Sequence, residues 1–259
     1  MGAQDLTQSE FRLDREVALI TGGGTGLGLG IARAFVQAGA KVVLAGRRQS
    51  ELEQAAGSLG SAAFTAVHDV TATGGAPDLV ARAAELAGAP ASILVNNAGI
   101  HLKKDAVDTS VEEFSAVLQT HVLGAHALAA AVLPGMMERR HGSILFIASM
   151  ASLFGIPKVV AYSAAKSAHL GMVRTLAVET GAHGVRVNAI APGWIDSAMS
   201  RKALDDDPGR KAKILGRTPL GRLGESEDIG LAAVYLSSPA AKFITGIVLP
   251  VDGGISIGF

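Results

Sequence analysis

Tyr162 and Lys166 stand four positions apart in AYSAAKSAH, residues 161–169, in a chain that has only two tyrosines. A free phenol titrates near ~10, too high for acid–base work at neutral pH, and a neighbouring ammonium lowers that value by favouring the phenolate. On a helix, positions i and i+4 share a face, so both polar tips can reach one cavity. Such a pair suits proton transfer to a carbonyl that is being reduced. Taken by itself, the spacing is also that of an amphipathic helix with a snorkelling lysine. Ser149 tips the balance, because it closes the apolar run SILFIA thirteen residues before Tyr162. A hydroxyl at the carboxyl end of a buried strand lies where open α/β sheets build their sites, and it can donate a hydrogen bond to a developing oxyanion.

A second set of residues suits a phosphate. TGGGTGLG, residues 21–28, follows an apolar run and precedes a helical pattern. Glycines there let a pyrophosphate approach the backbone and let the helix start aim its N–H groups at it. The spacing is G-x-x-x-G-x-G, and no Lys-Ser/Thr pair follows, so this is not a P-loop. Gly22, Gly24, Thr25, Gly26, Leu27 and Gly28 are the candidate contacts. The next strand, KVVLAGRR, ends in Gly46-Arg47-Arg48 without a carboxylate. An acidic residue at that place suits the ribose hydroxyls of NAD; a guanidinium suits a 2′-phosphate. NADP(H) is therefore favoured, and NAD(H) stays open if Arg47 and Arg48 only solvate the following helix.

The elements that must position these residues are short apolar runs at Val17–Ile20, Lys41–Ala45, Ala62–Val67, Ile93–Val95, Ser143–Ala148, Val185–Ile190 and Ile247–Val251. Between them lie helical patterns over Gly28–Gln37, Ser50–Ser58, Pro77–Ala87, Val111–Met137, Tyr162–Gly181 and Ser226–Ser237. Continuous apolar strands alternating with helices predict an α/β fold, a three-layer, Rossmann-type, doubly wound parallel sheet of about seven strands. Residues 1–12 read as a flexible tail and 13–259 as one domain. The polar stretch Asp196–Arg217 reads either as a mobile lid or as a solvated excursion.

Composition narrows the function. With 23 basic and 23 acidic residues the formal charge is zero, which argues against a nucleic-acid partner or an anionic membrane. There are no cysteines, so disulfides and thiolate chemistry are excluded, and no metal site is expected. The N-terminus carries no signal-like segment and no apolar run approaches the ~18 residues of a membrane span. A soluble cytoplasmic protein is expected.

Ordered motifs extend along the chain: TGGGTGLG, HDV at 68–70, NNAG at 96–99, Ser149, YSAAK, APGWIDSAM at 191–199, and a glycine-rich C-terminal pattern. In these the sequence resembles the short-chain dehydrogenase/reductase family. The resemblance implies that Tyr162 donates the proton, that Lys166 lowers its pKa and holds the nicotinamide ribose, and that Ser149 orients the substrate carbonyl. It places Asp69 and Val70 beside the adenine and Asn97, Ala98 and Gly99 by the ribose. It places Pro192, Gly193, Ile195 and Ser197 around the nicotinamide. It also implies a homotetramer joined through Val111–Met137 and Tyr162–Gly181.

The chain departs from the family's N-x-x-G at THVLG, where His121 replaces the asparagine. His121 is read either as a proton relay that titrates near ~6.5 or as a buried residue filling the asparagine's place. His101, Met150, Ala151, Phe154, Val159, Trp194 and Met199 form the expected substrate pocket. Their apolar character favours a neutral ketone or a bulky alcohol. Among relatives of the 3-oxoacyl-[acyl-carrier-protein] reductase type, basic residues receive an acidic carrier; Arg139 and Arg140 suit that role, but the second basic position holds His183. The expected activity is NADP-linked interconversion of a ketone and a secondary alcohol. The alternatives are an NAD-dependent alcohol or polyol dehydrogenase and a non-catalytic dinucleotide-binding scaffold.

Overall fold

The computed structural model describes residues 9–196 and 208–258. Strand β1, Val17–Thr21, is buried along its whole length. Its residues serve both faces of a sheet: Leu19 packs with Val43, Leu94, Ile144 and Phe146 on one side, while Ala18 and Ile20 pack with Val42, Leu44, Val95 and Leu145 on the other. Strands that must be apolar on both faces lose the alternating pattern and read as continuous runs. The others are β2 (Lys41–Gly46), β3 (Ala63–Val67), β4 (Ile93–Asn96), β5 (Gly142–Ile147), β6 (Val185–Pro192) and β7 (Val248–Val251). All pairings are parallel and the order is β3-β2-β1-β4-β5-β6-β7. This is the expected seven-stranded Rossmann-type sheet, with the order reversing between β1 and β4.

Helices cover both faces. On one lie α1 (Gly26–Gln37) and α2 (Gln49–Leu59), through buried Ile31, Phe35 and Leu52. On the other lies α3 (Ala76–Ala87), through Leu79 and Ala83. The expected single helix from Val111 is instead α4 (Val111–Leu118), a π turn (Gln119–Leu123) and α5 (Gly124–Arg139). A capping box between Ser110 and Glu113 starts α4. Contrary to the sequence reading, Val111–Arg139 is long and apolar enough to cross a bilayer. Its apolar residues Leu128, Ala129, Val132 and Met136 are buried in the core instead.

Helix α6 (Val160–Thr180) follows β5, and α7 (Pro208–Arg217) forms the described end of the expected lid segment. Helix α8 (Ser226–Ser237) packs beside α1 and leads to β7. Phe11, within the expected tail, stacks on Tyr235 of α8 with centroids 6.0 Å apart.

Candidate active site

The carboxyl ends of β1 and β4 flank the reversal in strand order, where a crevice opens. Thr21, the last residue of β1, donates its hydroxyl to the Val95 carbonyl at 3.2 Å and accepts from the Asn97 and Ala98 N–H groups at 3.0 Å each. Asn97 Nδ2 donates back to the Thr21 and Gly22 carbonyls at 2.9 and 3.2 Å. The Asn97 side chain thus clamps the glycine loop to the end of β4. At Gly28, a Cβ would overlap the Gly22 carbonyl, so loop and helix close on each other only without a side chain. No side chain caps the start of α1 and its first turn holds no acid. Free N–H groups, the positive end of the helix dipole and a backbone without side chains fit a dinucleotide pyrophosphate.

Gly22, Gly24, Thr25, Arg47, Arg48, Asp69, Val70, Ala98 and Gly99 line one groove of about 140 Å³. The sequence reading missed Glu51, Leu52, His68, Thr71, Ile100 and Thr120 on its walls. Thr71 donates its N–H and hydroxyl to Asp69 Oδ1 at 2.9 and 2.8 Å, and these bonds hold the carboxyl below the usual range. Arg48 pairs with Glu51 at 2.6 Å, whereas Arg47 reaches Asp69 only at 4.0 Å. Gly26, Leu27 and Gly28 form the first turn of α1 behind the groove. Pro192 ends β6, Gly193 donates its N–H to the Val251 carbonyl at 3.0 Å, and Ile195 bridges to Gly224. Ser197 and Met199 lie outside the described residues.

Ser149 follows β5, and its Oγ accepts the Ala151 N–H at 3.1 Å, starting the 3₁₀ turn Met150–Ser152. On α6, Lys166 is buried, donates from Nζ to the Ile147 carbonyl at 2.6 Å and lies 5.6 Å from the Tyr162 ring centre. Burial lowers its pKa to about 7. The sequence reading had Lys166 pulling the phenol down. The structure differs: burial pushes Tyr162 up, with only the Ser149 hydroxyl opposing. Burial of the phenol itself is the dominant cause.

Two histidines complete the wall. His121, in the π turn, presents its ring edge to Tyr162 with centroids 5.5 Å apart, and its Nε2 lies 3.0 and 2.8 Å from the Ile100 N and O. A Cβ at Gly99 would overlap that ring, so the glycine makes room for it. His121 is buried beside Lys166 and its pKa falls to about 3. A buried imidazole facing a cation stays neutral, which speaks against a relay titrating near ~6.5. The sequence reading also passed over His169, whose Nε2 donates to the His121 carbonyl at 2.8 Å and whose pKa falls likewise to about 3. Positions 162, 166 and 169 are i, i+4 and i+7 of one helix, a signal legible in the sequence. His101 tilts over Tyr162 at 5.2 Å, and His126 is exposed.

Next to this wall lies a cavity of about 360 Å³. Of the expected pocket, Phe154 and Trp194 line it, and Met150 packs with its lining residues Ile214 and Ile255. Ala151 and Val159 are buried and absent from its lining. The expectation of few charges does not hold, because Lys103, Lys158, Lys213 and Arg217 also line it. Arg139 and Arg140, the carrier candidates, stand at the amino end of β5, the sheet edge opposite Tyr162. They donate to the Ala91 and Ala182 carbonyls at 3.1 and 3.0 Å. No cluster of metal-ligating side chains occurs among the described residues.

A family described as enoyl-(acyl carrier protein) reductase matches residues 22–256. The chain is 42% identical over 87% of its length to 99% of a Xanthobacter autotrophicus protein named inactive 2-(S)-hydroxypropyl-CoM dehydrogenase 2. It is 41% identical over 95% of its length to 97% of galactitol 2-dehydrogenase (L-tagatose-forming) from Cereibacter sphaeroides. It belongs to the short-chain dehydrogenase/reductase family. A solved member, gluconate 5-dehydrogenase from Burkholderia cenocepacia in complex with NADP and tartrate, superposes with a TM-score of 0.92 at 32% identity, covering 98% of this chain and 100% of that one. Like its short-chain dehydrogenase/reductase relatives, the chain is an oxidoreductase acting on CH–OH groups with a nicotinamide dinucleotide.

Proposed function

We propose that this enzyme interconverts a ketone and a secondary alcohol with NADP(H), through Ser149, Tyr162 and Lys166. The observation that carries the proposal is the meeting of those three at the carboxyl edge of β5, beside the uncapped start of α1. When bound, the dinucleotide supplies or takes the hydride. Glycine-loop N–H groups, Arg47 and Arg48 hold its phosphates. Ser149 donates to the carbonyl oxygen and fixes its place. Tyr162, held neutral by burial, gives that oxygen its proton during reduction. Oxidation uses the phenolate, so that direction gains with rising pH. Lys166, fixed on the Ile147 carbonyl, keeps a donor at the phenol's side of the site.

NADP(H) is supported by the absence of a carboxylate at the end of β2 and by Arg47, whose side chain is 68% exposed and only loosely held. One observation favours NAD(H) instead: Glu51 lines the groove and occupies Arg48. Fluorescence titration with NADPH and with NADH separates the two. Tighter NADPH binding that Arg47→Asp abolishes supports the proposal; tighter NADH binding overturns it. The trio argues against a non-catalytic scaffold, which has no use for a buried lysine next to a phenol.

We further place the enzyme in the cytoplasm as a homotetramer joined through the α4–α5 segment and α6. Exposed apolar Val111, Leu123 and Val178 on those helices support that assembly. The cavity walled by Phe154 and Trp194, about 360 Å³, supports a small-molecule substrate, and the placement of Arg139 and Arg140 at the opposite sheet edge speaks against an acyl carrier protein.

A further inference from the structure

We propose that the cavity walled by Phe154 and Trp194 receives the far end of the substrate, and that this end carries an anionic group (carboxylate, sulfonate or phosphate) met by Lys213 and Arg217. The inference rests on the oxidoreductase reading only for the end that reacts. The chain as a whole is neutral, yet among the described residues this cavity gathers four cations and no carboxylate. They come from three separate segments: Lys103 after the NNAG turn, Lys158 before α6, and Lys213 with Arg217 on α7. A backbone bond from the Lys104 N–H to the Lys158 carbonyl at 2.8 Å holds the first two segments together.

Only Lys158 has a carboxylate partner among the described residues, Asp105 at 3.1 Å. Arg217 lies over the Phe154 ring at 5.8 Å and makes a long bond to the Gly258 carbonyl at 3.4 Å, which leaves guanidinium donors for a ligand. Lys213 and Arg217 are four apart on α7 and so share a face, with Ile214 buried beside them. Like charges collected against apolar walls repel one another and together attract an anion.

The cavity connects to the reacting groups through the chain itself. Met150, packed against Ile214, directly follows Ser149, and Lys103 stands two residues after the His101 that covers Tyr162. At about 360 Å³ it holds a small chain and its headgroup and excludes a folded partner. The substrate so defined has an oxygen for Tyr162, a short apolar middle for Phe154 and Trp194, and a charged end for α7.

Trp194 is the only tryptophan, so its fluorescence reports occupancy of this cavity without any turnover. The test titrates the full chain, saturated with NADP⁺, with levulinate and with methyl levulinate, which differ in the charge and one ester methyl. Acetonylsulfonate and hydroxyacetone phosphate distinguish the headgroups. Levulinate is expected to bind about tenfold or more tighter than its ester, with the advantage shrinking as salt is added. Lys213→Gln is expected to weaken levulinate about fivefold and leave the ester unmoved, while Lys213→Arg retains binding. Ester and dinucleotide affinities confirm that each variant is folded. Equal binding of acid and ester, or levulinate affinity unmoved by both Lys213→Gln and Arg217→Gln, overturns the proposal. Such a failure leaves Tyr162-dependent turnover of neutral ketones intact. Loss of that turnover with anion binding preserved would instead overturn the reaction.

Discussion

The His121 ring meets the Tyr162 ring edge-on, planes at 89°, while its Nε2 stays bound to the backbone of Ile100. Buried there with its pKa lowered to about 3, it is neutral at neutral pH. The rate profile is therefore expected to lack a limb near ~6.5, and His121→Asn to leave the shape of that profile unchanged. Profiles of kcat/KM against pH check this. A limb near neutrality that disappears in His121→Asn restores the titrating relay.

Lys166 is predicted to weaken the fold at low pH. Its folded pKa of about 7 lies below the ordinary lysine value of 10.5, so between those limits the unfolded chain binds the extra proton. Stability consequently rises with pH across that window, and the full cost of a buried ammonium falls below pH 7. Lys166→Met is expected to raise Tm more at pH 6 than at pH 9, by several degrees, while activity is lost. Paired thermal melts decide it; an equal shift at both pH values contradicts the burial account.

Asn97 ties the glycine loop to β4 through two carbonyls. Asn97→Ala strands the Thr21 and Gly22 acceptors and is expected to cost about 1–3 kcal/mol. Dinucleotide affinity is expected to fall with it, since the loop is no longer held open. Denaturant titration and a dinucleotide titration of the same variant check both effects. Unchanged values in both would contradict the clamp.

The sheet was legible because burial on both faces leaves continuous apolar runs, and each of the seven runs became a strand within a residue or two at either end. The trio was legible because Tyr162, Lys166 and Ser149 are set by helix period and strand end. Charge in the substrate cavity was not legible, since Lys103, Lys158, Lys213 and Arg217 come together only in three dimensions. Nor was the sign of the Tyr162 shift, which depends on how deeply α6 buries both groups. The π turn at Gln119–Leu123 lacks any compositional mark, and α7 was hidden by the polarity that read as a loop or lid.

The central claim is that proton transfer runs through the Tyr162 hydroxyl. The decisive measurement is NADPH oxidation with a panel of neutral and anionic ketones, comparing the native chain with Tyr162→Phe, alongside NADPH affinity for both. The account predicts that turnover falls by about a hundredfold or more while NADPH affinity stays within about threefold. Tyr162→Phe turning over any ketone at the native rate would contradict it.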